Sequence, residues 1–353
     1  MRTTVFTAQE RRQRREAGDR LARMCQIRLI STVSMLTALF TRVIPLCGSA
    51  GWWMGAVCML PGLATYGLLC AAIRSCGAKT LQEAVLKKCG RAGETLVRLL
   101  LGVLFLLEGA GSLTALVTAF TEGIGTEGTQ FTMALLTLGA AVLCLHRDAL
   151  ARGIWLMRRG MLLAALVIAA LLAGMLRPDG LHPVLGPGGS SLQAAWKAGC
   201  TLAWPLILLL TAEPAKGGRL RAATVPVFFS LGTGAALCLI YPCEMLIRET
   251  GLAGTLLLPA RHLPAAAATA AHCLGMLGAF LSIASCLQLG AQQLEMRRRL
   301  NWLPFALAGL LALLQLIPAR RLWLALTGIM QYAPVLLSVW ALILVIRRKK
   351  CAE

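Results

Sequence analysis

Charge is scarce in this sequence. Asp, Glu, Lys and Arg make up only 14% of it, against about a quarter in soluble domains. So little charge does not suit a water-facing surface. Acidic residues are scarcest, 15 against 35 Lys and Arg. Chemical machinery is lacking too. The chain has no nucleophile–base motif, phosphate-binding loop or metal box, which argues against an enzyme. The four histidines, His146, His182, His262 and His272, show no ligand spacing. The 13 cysteines include no CxxC pair. Most, such as Cys58, Cys70, Cys144, Cys238 and Cys286, lie inside apolar runs. They read as small buried apolar residues rather than disulfide or metal partners. No cofactor is expected. The N-terminal stretch "MRTTVFTAQERRQRREAGDRLARMCQIR" holds eight arginines before any apolar run. It lacks the short apolar core and small-residue cleavage site of a secretory signal. The first apolar helix reads as an uncleaved signal anchor.

What the chain has is apolar length. Of its 353 residues, 58% are hydrophobic, and several runs approach or exceed about 18 residues, enough to cross hydrocarbon as a helix. The reading is an all-α polytopic membrane protein with ten transmembrane helices. They are expected at 28–46, 51–73, 95–120, 130–145, 156–176, 192–212, 222–246, 265–289, 302–318 and 323–346. With both termini in the cytoplasm, the inner segments hold 28 of the 35 basic residues and the outer loops five. That bias follows the positive-inside rule. The net charge of +20 is then a mark of topology, not of nucleic acid. The run "RRQRREAGDR" (11–20) reads as a basic arm on anionic lipid, at about 1 kcal/mol per nearby basic residue. The organisation is a basic cytoplasmic arm (1–27), a five-helix repeat (28–176), an extracytoplasmic loop (177–191), a second five-helix repeat (192–346) and a basic cytoplasmic tail (347–353).

Five spans per half put the second half into the membrane from the opposite side, the geometry of a 5+5 inverted repeat. Helices that open the halves of such folds are often interrupted near the midplane. Span one contains "TRVIPLCG" with Pro45, and span six "AGCTLAWPLILLL" with Gly199 and Pro205. Pro removes an N–H donor and Gly tolerates unwound backbone, so helices one and six are expected to be discontinuous. An ordinary Pro kink is the alternative.

Four stretches carry a resemblance to a known family. "SAGWWMGAV" (49–57) opens span two. "KTLQEAVLKKCGRAGETLVRLLLGVLFL" (79–106) leads into span three, and "LVTAFTEGI" (116–124) ends it. "GLHPVLGPGGSSLQAAWKAG" (180–199) leads into span six. In their order, and with ten spans, they make the whole chain resemble the endospore germination permeases, the B-type subunits of spore germinant receptors. That family belongs to the amino acid–polyamine–cation transporter superfamily. The resemblance implies a LeuT-like fold in which spans one, three, six and eight surround a central cavity. It also implies a small germinant such as an amino acid as ligand, an A-type membrane subunit and a C-type lipoprotein as partners, and the inner spore membrane as the location.

Within that frame "LLEGAGS" (106–112) is the sharpest anomaly. A carboxylate at bilayer depth costs about 2.5–3.5 kcal/mol on insertion scales, yet Glu108 stands there beside Gly109, Gly111 and Ser112. The stretch falls on a cavity wall, where Glu108 could meet a ligand ammonium, a proton or Arg42; a structural, hydrogen-bonded carboxyl is the alternative. Arg42 could snorkel to the interface, pair with Glu108 or bind a ligand carboxylate. Thr37 and Ala38 stand where the family has a small-residue pair in span one. Thr201 and Trp204 flank the break before Pro205, with a packing role for Trp204 as the alternative. Ser282 and Ser285 share one face of span eight, and either could instead bond back to the preceding turn. Ligand binding is thus expected at Thr37, Ala38, Arg42, Glu108, Gly111, Ser112, Thr201, Trp204, Ser282 and Ser285. Two other readings stay open. One is a secondary amino acid transporter coupled to an ion; the other, admitted by departures from the family's motifs in spans one and eight, is a non-binding structural subunit.

Overall fold

The computed structural model describes residues 8–124, 129–172, 181–213, 218–241, 243, 246, 265–294 and 302–316. All regular structure among them is helical, with no strand. Ten α-helical elements follow in order: α1 (Ala8–Ala38), α2 (Ile44–Cys47), α3 (Gly51–Ser75), α4 (Leu81–Ile124), α5 (Thr129–Leu145), α6 (Arg147–Leu172), α7 (Gly189–Gly199), α8 (Gly218–Ile240), α9 (Ala265–Leu294) and α10 (Leu303–Leu316). Five described helical stretches are long and apolar enough to cross a membrane, or six if the bent pair α5–α6 counts as one. The chain is a helical membrane protein. The tenth expected span, 323–346, and the tail, 347–353, lie outside the described residues.

One of those five stretches runs from Gly18 to Ser75, 58 residues. As a straight helix it would be about 87 Å long, nearly three bilayer cores. It folds back on itself instead. Gly48 takes φ 52° and ψ −121°, a conformation that favours Gly, and a single 3₁₀ turn (Gly48–Ala50) leads into α3. The two arms touch beside the turn, and further along α1 packs mainly on α8 and α9. A Cβ on Gly51 would lie 3.0 Å from Ile44, and one on Gly55 3.0 Å from Leu39. Tyr66 lies within electrostatic range of Arg28 further along. These arms match the first two expected spans.

The ends of several helices differ from the sequence reading. The arm is helical from Ala8 and continuous with the first span. The segment before span three is helical from Leu81, broken from the rest of α4 by Gly90 at φ 71°. Residues 147–159, expected as part of a loop and as the blurred start of span five, are helix from Arg147 onward. The α5–α6 bend of 111° is confined to His146 and its neighbours. Helix over 147–159 has a local reason: "RDALARGIWLMRRG" sets charged and apolar faces at helical spacing, a pattern that forms helix without being apolar throughout.

Two apolar clusters hold the described helices together. One gathers Leu39, Val43, Tyr66, Phe105, Trp204 and Leu237 around the hairpin, α7 and α8. The other gathers Leu113, Ala140, Ile154, Ile283 and Leu311 from α4, α5, α6, α9 and α10. Helix α4 contributes to both and so joins them. Its Gly109 allows close approach to α9, since a Cβ there would stand 3.2 Å from that of Cys286.

Candidate functional site

The first span changes helix type between α1 and α2. Residues Leu39–Val43 form a π-helical segment, closed by the Ile44 N–H donating to the Leu39 carbonyl. Non-helical backbone is expected within a few residues of Leu39–Pro45: Val43 and Ile44 stay in right-handed helical geometry, and the departure comes at Gly48, with φ 52° and ψ −121°. Pro45 sits in the first turn of α2 and brings no N–H to the carbonyls of the π segment behind it. Such π turns favour functional positions, and here the consequence is angular. Eight residues of α-helix would leave Arg42 about 80° round from Ser34. A π turn advances about 20° less per residue, so four such steps take back most of that angle. Arg42 is thereby turned toward the face of Ser34.

The sixth span breaks differently. Helix α7 ends at Gly199, and the chain then runs through i→i+3 bonds. Leu202 N–H donates to Gly199 O at 2.8 Å, Trp204 N–H to Thr201 O at 3.0 Å and Leu206 N–H to Ala203 O at 3.2 Å. A 3₁₀ helix over Trp204–Thr211 follows. Pro205 explains the change, because it cannot supply the donor that an α-helix would bring to Thr201 O. The two breaks pack on each other. A Cβ on Gly199 would fall 2.7 Å from Val43 and from the Cys58 sulfur, and Ser31 Oγ donates to Pro205 O at 3.0 Å.

Glu108 faces this region from α4. It is half-buried, and Arg42 and Ser34 are the side chains that act on its carboxyl, with Cys286 of α9 also in range. Arg42, also half-buried, feels the carboxyl in return. Among the described residues no ion pair joins the two. Ser34 Oγ is buried and is the hydroxyl that acts on the Glu108 carboxyl. One turn along α4, Ser112 Oγ pairs with Ser282 Oγ at 3.2 Å, both buried.

Of the ten expected residues, the structure brings Arg42, Glu108, Ser112 and Ser282 into one band across α1, α4 and α9. Gly111 is half-buried beside them on α4. Thr37 and Ala38 lie on the last turn of α1, where the Thr37 carbonyl accepts the Thr41 hydroxyl at 2.7 Å. Thr201 is half-buried in the turn of the sixth span. Trp204 is 4% exposed and belongs to the apolar core, which favours its packing role. Ser285 donates to Leu281 O at 2.7 Å, the back-bond weighed for it. The sequence reading missed Ser34 and Cys286. The signal for Ser34 was available in "STVS", where Ser31 and Ser34 share a helix face.

A second polar region lies at the arm end of α1. Arg20 pairs with Glu213 at 2.8 Å, and Lys79 approaches the same carboxylate at 3.8 Å. Arg23 donates to Gln292 at 3.0 Å. Gln26 donates to Gln288 at 2.6 Å in a buried contact, and Gln82 to Gln293 at 3.1 Å. Arg219 donates to Lys79 O at 2.6 Å, and the Arg219 carbonyl accepts the Tyr66 hydroxyl at 2.8 Å. A cavity of about 420 Å³ lies here, lined by Asp19, Arg20, Arg23, Thr80, Thr211 and Glu213.

No protein-family model and no curated protein matches the chain.

Proposed function

We propose that this chain is a transporter-fold membrane subunit that senses a small germinant, such as an amino acid, in the manner of the B-type subunits of spore germinant receptors. The reading has ten spans in a 5+5 inverted repeat, both termini cytoplasmic, in the inner spore membrane. An A-type membrane subunit and a C-type lipoprotein are its partners. One observation carries it: Arg42 and Glu108 face each other at the break of the first span, half-buried, yet form no ion pair among the described residues. Opposite charges in a low-dielectric interior attract strongly, so two left apart and partly accessible suit a ligand that brings its own charges. A zwitterion fits, with its carboxylate toward Arg42 and its ammonium toward Glu108. The hydroxyl of Ser34 lies against the Glu108 carboxyl.

The test is germination of spores carrying Glu108→Gln or Arg42→Gln against a panel of amino acids and nucleosides, with protein level monitored. The expected result is at least a tenfold weaker response to one germinant at unchanged abundance. Wild-type responses in both variants would reject the site. A second reading, ion-coupled amino acid transport, draws support from the arm-end ion pairs, which could break and re-form as an inner closure moves. Uptake of the same amino acid into vesicles containing this chain alone would favour transport. If deletion of the chain weakens the response to every germinant equally, the structural-subunit reading stands instead.

A further inference from the structure

Three cysteines meet at the turn that joins the first two spans. Cys47, fully buried, ends α2 and donates to Val43 O at 3.0 Å. Cys238, fully buried on α8, donates to Gly48 O at 3.7 Å. Its sulfur stands 3.4 Å from where a Cβ on Gly51 would lie. Cys243 is half-buried and accepts the Ser49 N–H at 3.4 Å. All three are free thiols, and each is within electrostatic range of the others. An isolated buried cysteine is ordinary core packing. Here sulfurs from two distant parts of the chain converge on one short turn, and one of them is partly accessible.

The loop ahead of α7 lies over the same turn. Ser49 Oγ donates to Pro183 O at 2.7 Å and Trp53 Nε1 to Val184 O at 2.8 Å. A Cβ on Gly186 would fall 2.3 Å from the Cys47 carbonyl oxygen. Thiols gathered at one turn can exchange with a disulfide and with one another.

We propose that Cys47, Cys238 and Cys243 form a thiol–disulfide exchange site whose product is a Cys47–Cys238 bond. The oxidant is a small-molecule disulfide. The Cys243 thiolate attacks one of its sulfurs, forming a mixed disulfide and releasing one small thiol. The Cys238 thiolate attacks Cys243 Sγ and releases the second. The Cys47 thiolate then attacks Cys238 Sγ, and Cys243 returns as a thiol. Two protein thiols are oxidised and one small disulfide is reduced to two thiols. The bond ties the tip of the first span to α8. On the ten-span reading this end faces away from the cytoplasm, the side on which disulfides persist; only that orientation rests on the proposed function.

The test places a protease site between Asp179 and Gly180, so that cleavage separates Cys47 from Cys238 and Cys243. Membranes are treated with oxidised glutathione, or with the membrane-permeant disulfide dithiodipyridine, blocked with N-ethylmaleimide, cleaved and run without reductant. The two fragments are expected to migrate together and to separate on adding dithiothreitol. Cys47→Ser and Cys238→Ser should each abolish the linked band, and Cys243→Ser should slow its appearance at least tenfold. Cys58→Ser should leave it unchanged. No linked band with either reagent, or linking that survives Cys47→Ser, overturns the proposal. So does loss of linking in Cys58→Ser, which would place the bond at Cys58 and Cys200. Linking from the outer side by the permeant reagent alone supports the exchange site and rejects the orientation.

Discussion

The polar residues at the arm end of α1 and those at its π segment are treated in opposite ways. At the arm end nearly every group has a protein partner: Arg20 and Lys79 share Glu213, Gln26 meets Gln288, and Gln82 meets Gln293. At the π segment Arg42 and Ser34 lie within range of Glu108, yet among the described residues the two charges form no ion pair. The first region holds helices in place. The second leaves two opposite charges without an ion pair among the described residues. The difference separates polar groups that fasten the helices from those free to take the proposed ligand, and composition alone cannot make that distinction.

The packing that brings both regions together is the most sensitive point. A Cβ on Gly62 would lie 2.7 Å from the Ala203 Cβ and 2.8 Å from its carbonyl carbon. Gly62→Val should therefore strip most of the protein from the membrane. Gly67→Ala, with nothing within 4 Å, should change abundance little. Immunoblots of membrane fractions decide this, and a normal level of Gly62→Val would show that spans two and six do not touch as described.

The comparison sharpens next through paired charge removals. Glu108→Gln is expected to weaken ligand response at least tenfold while leaving thermal stability within about 0.5 kcal/mol. Glu213→Gln should leave response nearly intact and lower stability by up to about 1 kcal/mol. The opposite pattern in germination and melting assays would exchange the roles of the two regions.

Gln26→Leu strands Gln288 without its buried partner and should cost about 1–2 kcal/mol. The double variant with Gln288→Leu should recover a good part of that loss. Equal destabilisation in single and double variants, measured by detergent-solubilised melting, would remove the buried bond from the account. The smallest effect is expected for Arg20→Gln. Its pair with Glu213 is 55% exposed on the arginine side and should be worth less than about 0.5 kcal/mol, shrinking further in high salt.

Much of the helical layout was legible because span length and apolar content are set by the same hydrocarbon thickness. Span two was expected at 51–73, and its helix is Gly51–Ser75; where span nine was expected, at 302–318, the described residues hold the shorter apolar helix Leu303–Leu316. Amphipathic helices were less legible, since "RDALARGIWLMRRG" carries enough charge to look like a loop. In the site, Glu108 and Arg42 stood out because charge is so costly at that depth. Their relation to Ser34 did not, because the π segment leaves no mark in residue type. Thr201 and Trp204 were marked by Pro205, yet Pro marks only where a backbone changes, not which side chains face inward. Ser285 looked like Ser282 in sequence. Only their neighbours differ, a hydroxyl across the interface for one and its own preceding turn for the other.

The π segment can also be counted in residues instead of angles. A π turn is an α-helix carrying one surplus residue, so the first span is one position longer than its path requires. Deleting Thr41 is expected to restore i→i+4 bonding as far as Ile44, Pro45 having no N–H to add. The chain would keep its membrane length, its hairpin at Gly48 and its composition, and lose only the register that turns Arg42 toward Glu108. A site held by one extra amino acid can be gained or erased by the loss or insertion of a single codon, leaving the scaffold in place.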